Sequence, residues 1–137
     1  MAKRGATPEA EWQNTLVDLL QTFGYIVEHT YRLRTRDGWR TGSTLRGKPD
    51  LMAIRIPRVL AIECKRDGEY PTRAQKAVLT LYSHVPCARA WVLRPRDDFD
   101  MITAWVRRPA TAPAHYGFEP LDPDDAARIL APGAHTR

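Results

Sequence analysis

Two apolar runs, residues 49–56 (PDLMAIRI) and 59–65 (VLAIECK), stand either side of Pro57-Arg58, and apart from Arg55 their charges sit at their outer ends. Runs this short and this apolar predict two neighbouring buried strands, hence an antiparallel hairpin inside a sheet. With Ile56 facing Val59, Asp50 faces Lys65 and Met52 faces Glu63. Facing residues project to the same side, as do residues two apart along one strand. Asp50, Glu63 and Lys65 then gather at one end of the face that carries Met52, Ile54, Val59 and Ala61; Leu51, Ala53, Leu60 and Ile62 line the other. Proline at 57 cannot take the positive φ of a type I′ turn, so a longer loop or a bulge is expected there. A one-residue slip would carry Asp50 to the opposite face.

Around this hairpin the chain is well punctuated. Thr7, Pro8, Glu9 and Glu11 open a helix that Gly24 ends. Trp12, Leu16, Leu19, Leu20 and Phe23 form its single apolar stripe; Glu9 falls inside that stripe and Glu11 on the opposite side. Residues 25–31 (YIVEHTY) read as a strand. Residues 32–48 carry six basic side chains against Asp37 and include the turn signal Asp37-Gly38, which predicts a long hairpin or mobile loop. Thr72 caps a helix reaching about His84, residues 90–93 (AWVL) form another strand, and Asp97 or Asp98 caps a helix that Pro109 stops. The order α-β-β-β-α-β-α predicts an α/β fold, a mixed β-sheet flanked by helices. Residues 1–108 are expected to form the domain. Residues 109–137, rich in Pro, Ala and Asp, are expected to be a tail that is partly ordered or packed on a partner, with a short helix over 123–130.

With 137 residues there is room for one domain. No apolar run approaches the ~18 residues of a spanning helix, so no membrane partner is expected. The opening residues lack an apolar signal segment, which points to the cytosol, the host's if the chain is phage-encoded. Cys64 and Cys87 fit no zinc spacing and are expected to stay reduced there. Lys+Arg 21 against Asp+Glu 16 leaves +5, which favours a polyanionic partner. Where the charge sits says more than its sum.

Two carboxylates at one hairpin end repel each other, and burial sharpens the conflict. A hard divalent cation removes it. Magnesium takes one or two carboxylates, carbonyl oxygens and waters, so Asp50, Glu63 and the backbone carbonyl of Cys64 make a natural set. The Cys64 side chain points to the other face and fills the core. Lys65 would lie beside a bound water, to orient it or to stabilise charge on a phosphate. Taken singly, Pro-Asp is a common turn dipeptide and Glu-x-Lys a common solvated ion pair. Here they lie thirteen residues apart on one expected face, and Glu63-Cys64-Lys65 is the chain's single Asp/Glu-x-Lys triplet. Arg32, Arg34, Arg36, Arg40, Arg46 and Lys48 precede Asp50 and read as a phosphate-gripping arm, with Trp39 placed to stack or wedge. His29 reads as packed or hydrogen-bonded, and Trp91 and Trp105 as core.

Gly47-Lys48-Pro49-Asp50 followed by Glu63-Cys64-Lys65 resembles the signature of the PD-(D/E)XK nucleases. The wider pattern is similar to their VRR-NUC branch, small phage and bacterial nucleases related to Holliday junction resolvases. It comprises Glu9, Trp12 and Gln13 in the opening helix, Gly24-Tyr25, Gly38-Trp39, GKPDL, ECK, and Thr72-Arg73-Ala74-Gln75, within about residues 7–107. The resemblance implies a restriction-endonuclease-like core and a homodimer. It implies Asp50 and Glu63 as ligands of Mg2+ or Mn2+, Lys65 as the catalytic lysine, and Glu9 as an aid to the metal, directly or through water. Gln75 matches a position that supports the active site or contacts the substrate backbone. Arg73, where relatives often have proline, joins the residues expected to bind DNA. The function so implied is a metal-dependent DNA endonuclease, selective for branched, flap or junction DNA. Three rivals stay open: a sequence-specific restriction-type nuclease, a catalytically silent DNA-binding module of the same fold, and a nuclease acting on RNA.

Overall fold

In a computed structural model of the chain, residues 8–30, 32–35, 38–41 and 45–133 are described, with 32–35 and 38–41 as backbone. The sheet grows outward from the apolar hairpin. Strand β4 (Leu51–Arg55) pairs antiparallel with β5 (Arg58–Cys64). On the β4 side β1 (Ile26–His29) adds antiparallel; on the β5 side β6 (Ala88–Leu93) adds parallel. A two-residue β7 (His115–Tyr116) completes the order β1-β4-β5-β6-β7. The expected mixed α/β sheet with flanking helices is therefore present. Strands β2 (Arg32–Thr35) and β3 (Gly38–Thr41) form a separate antiparallel hairpin around residues 36–37.

The hairpin register differs from the expected one. Arg55 pairs with Arg58 and Ile54 with Val59, so Ile56 and Pro57 form a tight two-residue turn. No longer loop intervenes. The shift is two residues, so side-chain parity survives, and the register carried one step past Leu51 and Ile62 sets Asp50 against Glu63 rather than Lys65.

Both faces are covered. Helix α1 (Pro8–Thr22) and helix α3 (Phe99–Arg107) bury Leu16, Leu20, Ile102 and Val106 against Leu51, Ala53, Leu60, Ile62, Cys64, Trp91 and Leu93. The expected apolar stripe of α1 is thus its packed face; its expected cap Thr7 lies outside the described residues. Helix α2 (Arg73–Ser83) lays Leu79 on Ala61, Ala90 and Val92 of the opposite face, with Met52 packed alongside. The face assignment read from the hairpin holds. Trp91 is fully buried, donates from Nε1 to the Pro113 carbonyl at 3.1 Å and packs on Trp105, which meets Tyr116 edge-on.

The segment beyond residue 108 packs on the same sheet. A 3-10 turn (Pro109–Thr111) leads to β7, and helix α4 (Pro123–Leu130), with the bounds expected from the sequence, lies against α2 and buries Ala126. Gly117 lets this segment pass β6, since a Cβ there would stand 2.2 Å from the Val92 carbonyl oxygen. Among the described residues no helix is long and apolar enough to cross a membrane.

Candidate functional site

The site lies where β4 stops pairing and β5 continues. Ladder contacts between them end at Leu51 and Ile62, leaving Glu63 and Cys64 beyond the end of β4. The Asp50 carboxylate takes over. Its Oδ2 accepts from the Cys64 N–H at 2.9 Å, so the side chain of Asp50 satisfies a donor that a longer β4 would have met with backbone. The Pro49-Asp50 backbone is fixed in turn by Thr30, whose hydroxyl donates to the Pro49 carbonyl at 2.9 Å and whose N–H donates to the Asp50 carbonyl at 2.8 Å.

Gly47 shows why the approach to Asp50 carries a glycine. Its φ is 83°, and a Cβ would stand 2.4 Å from the carbonyl carbon of Ala74 and 2.7 Å from the Gln75 nitrogen. The loop before Asp50 is therefore seated directly on the first turn of α2. Only a residue without a side chain allows backbones this close.

Glu63 is 1% exposed and Gln75 7%. Both oxygen and nitrogen of the Gln75 amide are assigned by its neighbours. Oε1 accepts from the Thr72 N–H at 2.8 Å, closing a capping box in which the Thr72 hydroxyl accepts from the Gln75 N–H at 3.2 Å. Nε2 is thereby turned to the Glu63 carboxylate and reaches Oε1 at 3.4 Å, the long end of hydrogen-bond range. One side chain both starts the helix and holds the buried glutamate.

Lys65 follows at the end of β5, half-buried, its N–H donating to the Leu93 carbonyl at 3.2 Å. Glu9, expected inside the apolar stripe, is exposed in the first turn of α1 as Glu11 is, yet lies close enough to this end for its charge to act on Cys64. Trp12 anchors the start of α1 there by donating from Nε1 to the Leu93 carbonyl at 3.0 Å. The convergence is visible in one thiol. Burial pushes Cys64 well above the usual thiol range, and the charges of Asp50, Glu63 and Glu9 push the same way while Lys65 opposes them. Glu11 has no part in that set, which agrees with its place on the opposite side of the helix.

The expected phosphate arm divides. Arg32, Arg34, Trp39 and Arg40 lie on the β2–β3 hairpin, Arg34 paired with Trp39 and Leu33 with Arg40; Arg36 lies outside the described residues. Lys48 forms an ion pair with Glu28, and Arg46 donates from Nη2 to the Ile129 carbonyl at 3.0 Å, so both are engaged within the chain. Arg73 is exposed at the start of α2. His29 is hydrogen-bonded, 2.6 Å from the Gln13 amide oxygen. One residue the sequence left unmarked is Arg94, buried at the end of β6 in the position beside Lys65. An arginine directly after an apolar strand was its only signal.

Among the described residues, no three His, Cys, Asp or Glu side chains gather as a metal-holding group. What the end of the hairpin offers a cation is smaller: the carboxylates of Asp50 and Glu63 with the strand-end carbonyl of Cys64. Hard oxygens in that number fit magnesium, which keeps several of its waters.

No family model matches the chain, and no curated protein matches it. A solved structure, the crystal structure of a protein of unknown function, AF1548, is similar with a TM-score of 0.32 and 15% identity, over 69% of this chain and 53% of that one. This chain thus spans about half the length of that protein.

Proposed function

We propose that the chain is a metal-dependent DNA endonuclease with a restriction-endonuclease-like core, acting on branched, flap or junction DNA. The observation that carries this reading is the Asp50 carboxylate on the Cys64 N–H, next in the strand to a buried Glu63, with Gln75 on the glutamate and Lys65 two residues on. Asp50, Glu63 and the Cys64 carbonyl would hold Mg2+ or Mn2+, with Glu9 assisting through water. When bound, that ion supplies Lewis-acid activation of a water and charge neutralisation at a phosphate. Lys65 orients the attacking water and stabilises the charge that grows on the phosphate. Gln75 keeps the Glu63 carboxylate in one orientation, and Arg73 with the basic hairpin grips the neighbouring phosphates. A homodimer, as the sequence resemblance implies, belongs to the same reading and is checked by light scattering.

The test is plasmid nicking and a panel of labelled duplex, flap, splayed-arm and four-way DNA with Mg2+ or Mn2+. Cleavage abolished by EDTA is expected, with branched substrates cut first. Asp50→Asn, which retains an acceptor for the Cys64 N–H, and Lys65→Ala each lower cleavage about a hundredfold or more while melting and DNA binding persist. Near-normal turnover in either variant refutes its role. Wild-type protein that binds DNA and cuts none of it under any metal favours the silent module.

A further inference from the structure

Among the described residues two arginine–tyrosine stacks occur, and they are built inside out relative to one another. Arg55 lies 4.6 Å from the ring centre of Tyr25, which is 2% exposed and donates its hydroxyl to the Val106 carbonyl at 2.8 Å. There the ring is core and the cation covers it. Arg94 lies 5.5 Å from the ring centre of Tyr70, but Arg94 is 4% exposed and Tyr70 77%. Here the cation is core and the ring stands in solvent.

Arg94 ties the loop that carries this ring to the segment just after β7. Nε and Nη2 donate to the Glu69 carbonyl at 3.2 and 2.7 Å, and Nη1 donates to the Gly117 carbonyl at 3.1 Å. Burying a guanidinium against carbonyls is costly, and what it secures is the position of residues 69 and 70. The Arg66–Glu69 ion pair and the Pro71 ring stiffen the loop further. The loop itself joins Lys65 to the helix that bears Gln75, so Tyr70 lies between two members of the candidate site along the chain, with the exposed Arg73 three residues on.

We infer that Tyr70 is a stacking platform for a nucleobase next to the cleaved phosphate. A flat ring with a fixed cationic backing and an open surface, on a loop flanked in sequence by Lys65 and Arg73, suits a base stacked above and a phosphate gripped at the side. Stacking of this kind tolerates any base, so Tyr70 holds an unpaired or splayed nucleotide at the site without reading sequence. The inference rests on the nuclease reading.

The experiment uses the full chain and a splayed-arm DNA carrying 2-aminopurine one nucleotide from the mapped cut. Binding and base fluorescence are followed in EDTA, and cleavage with Mg2+. Tyr70→Ala weakens binding about tenfold, abolishes quenching of the 2-aminopurine and raises KM with kcat little changed. Its salt slope stays that of the wild type, because no phosphate contact is lost. Tyr70→Phe and Tyr70→Trp restore quenching; Arg94→Lys, which retains charge without the planar fork, lowers it. A Tyr70→Ala protein that binds and quenches like a cleaving wild type overturns the platform and leaves the nuclease intact. A wild type that neither binds nor cleaves these DNAs overturns both.

Discussion

At the turn end of the β4–β5 hairpin Ile56 is 91% exposed and Ile54 is exposed beside it; at the open end Glu63 is buried. Some exposed apolar side chains at a surface turn are ordinary, because no fold can cover them all. A buried carboxylate is not ordinary, since desolvating it works against folding unless something else in the site requires it there. The turn end is therefore surface that happens to be apolar. On the nuclease reading proposed above, the open end is where stability is set aside for chemistry, and Thr30, Gly47, Thr72 and Gln75 fix the backbone and side chains around its two acids.

Substitutions at the two ends sharpen or break this contrast. Glu63→Gln is expected to lower cleavage about a hundredfold, roughly 2.7 kcal/mol of transition-state stabilisation, with the melting temperature maintained. Ile56→Ser changes neither activity nor stability beyond about 0.5 kcal/mol. Equal losses at both positions would erase the distinction. Gly47→Ala drives a methyl into the Ala74 backbone and should cost roughly 2 kcal/mol in urea denaturation; an unchanged midpoint would show that the loop does not rest on α2 as described. Glu9→Gln should slow cleavage about tenfold, the scale of an outer-shell partner of a metal, and Glu11→Gln hardly at all. The reverse order would move the supporting acid to the wrong face of α1.

The two thiols give the mildest test. Cys87 is exposed near the turn end, its carbonyl accepting from the Val59 N–H, and Cys64 is buried at the open end. A chromogenic disulfide reagent should label Cys87 in the native protein and Cys64 only in urea. Because burial raises the folded-state pKa of Cys64, the unfolded chain loses that proton first as pH rises. The stability linked to this thiol is complete at neutral pH and declines above about pH 9. Tyr25, also raised by burial, extends the decline at higher pH. Cys64→Ala should flatten the first part of this alkaline limb, and a limb unaltered by it would place the thiol in a wetter setting.

Much of this was legible in the residues because periodicity and caps act locally. The apolar stripe of α1, the Thr72 and Asp98 caps and the two faces of the hairpin follow from spacing alone. Register was less accessible. The Ile56–Pro57 turn admitted a tighter closure than a loop around proline suggested, and only because the shift was two residues did the face assignment survive it. Contacts between distant segments had no local signal: the Gly47 approach to Ala74, the capture of Arg46 by Ile129, and the place of Arg94 beneath Tyr70. The residues after 108 look like a tail by composition, yet alanines and prolines pack well where a neighbouring helix leaves little room. Ala126 lies against α2 in that way.

That last stretch bears on how the protein would be handled. Strand β7 is two residues long and offers an approaching chain few free backbone groups, a short and therefore safe border for the sheet. Trimming the polypeptide after Arg108 would strip that border from β6, whose Ala90, Trp91, Val92 and Leu93 are all buried, and expose a sticky apolar strand. Such a fragment should form aggregates on concentration while the intact chain stays dispersed.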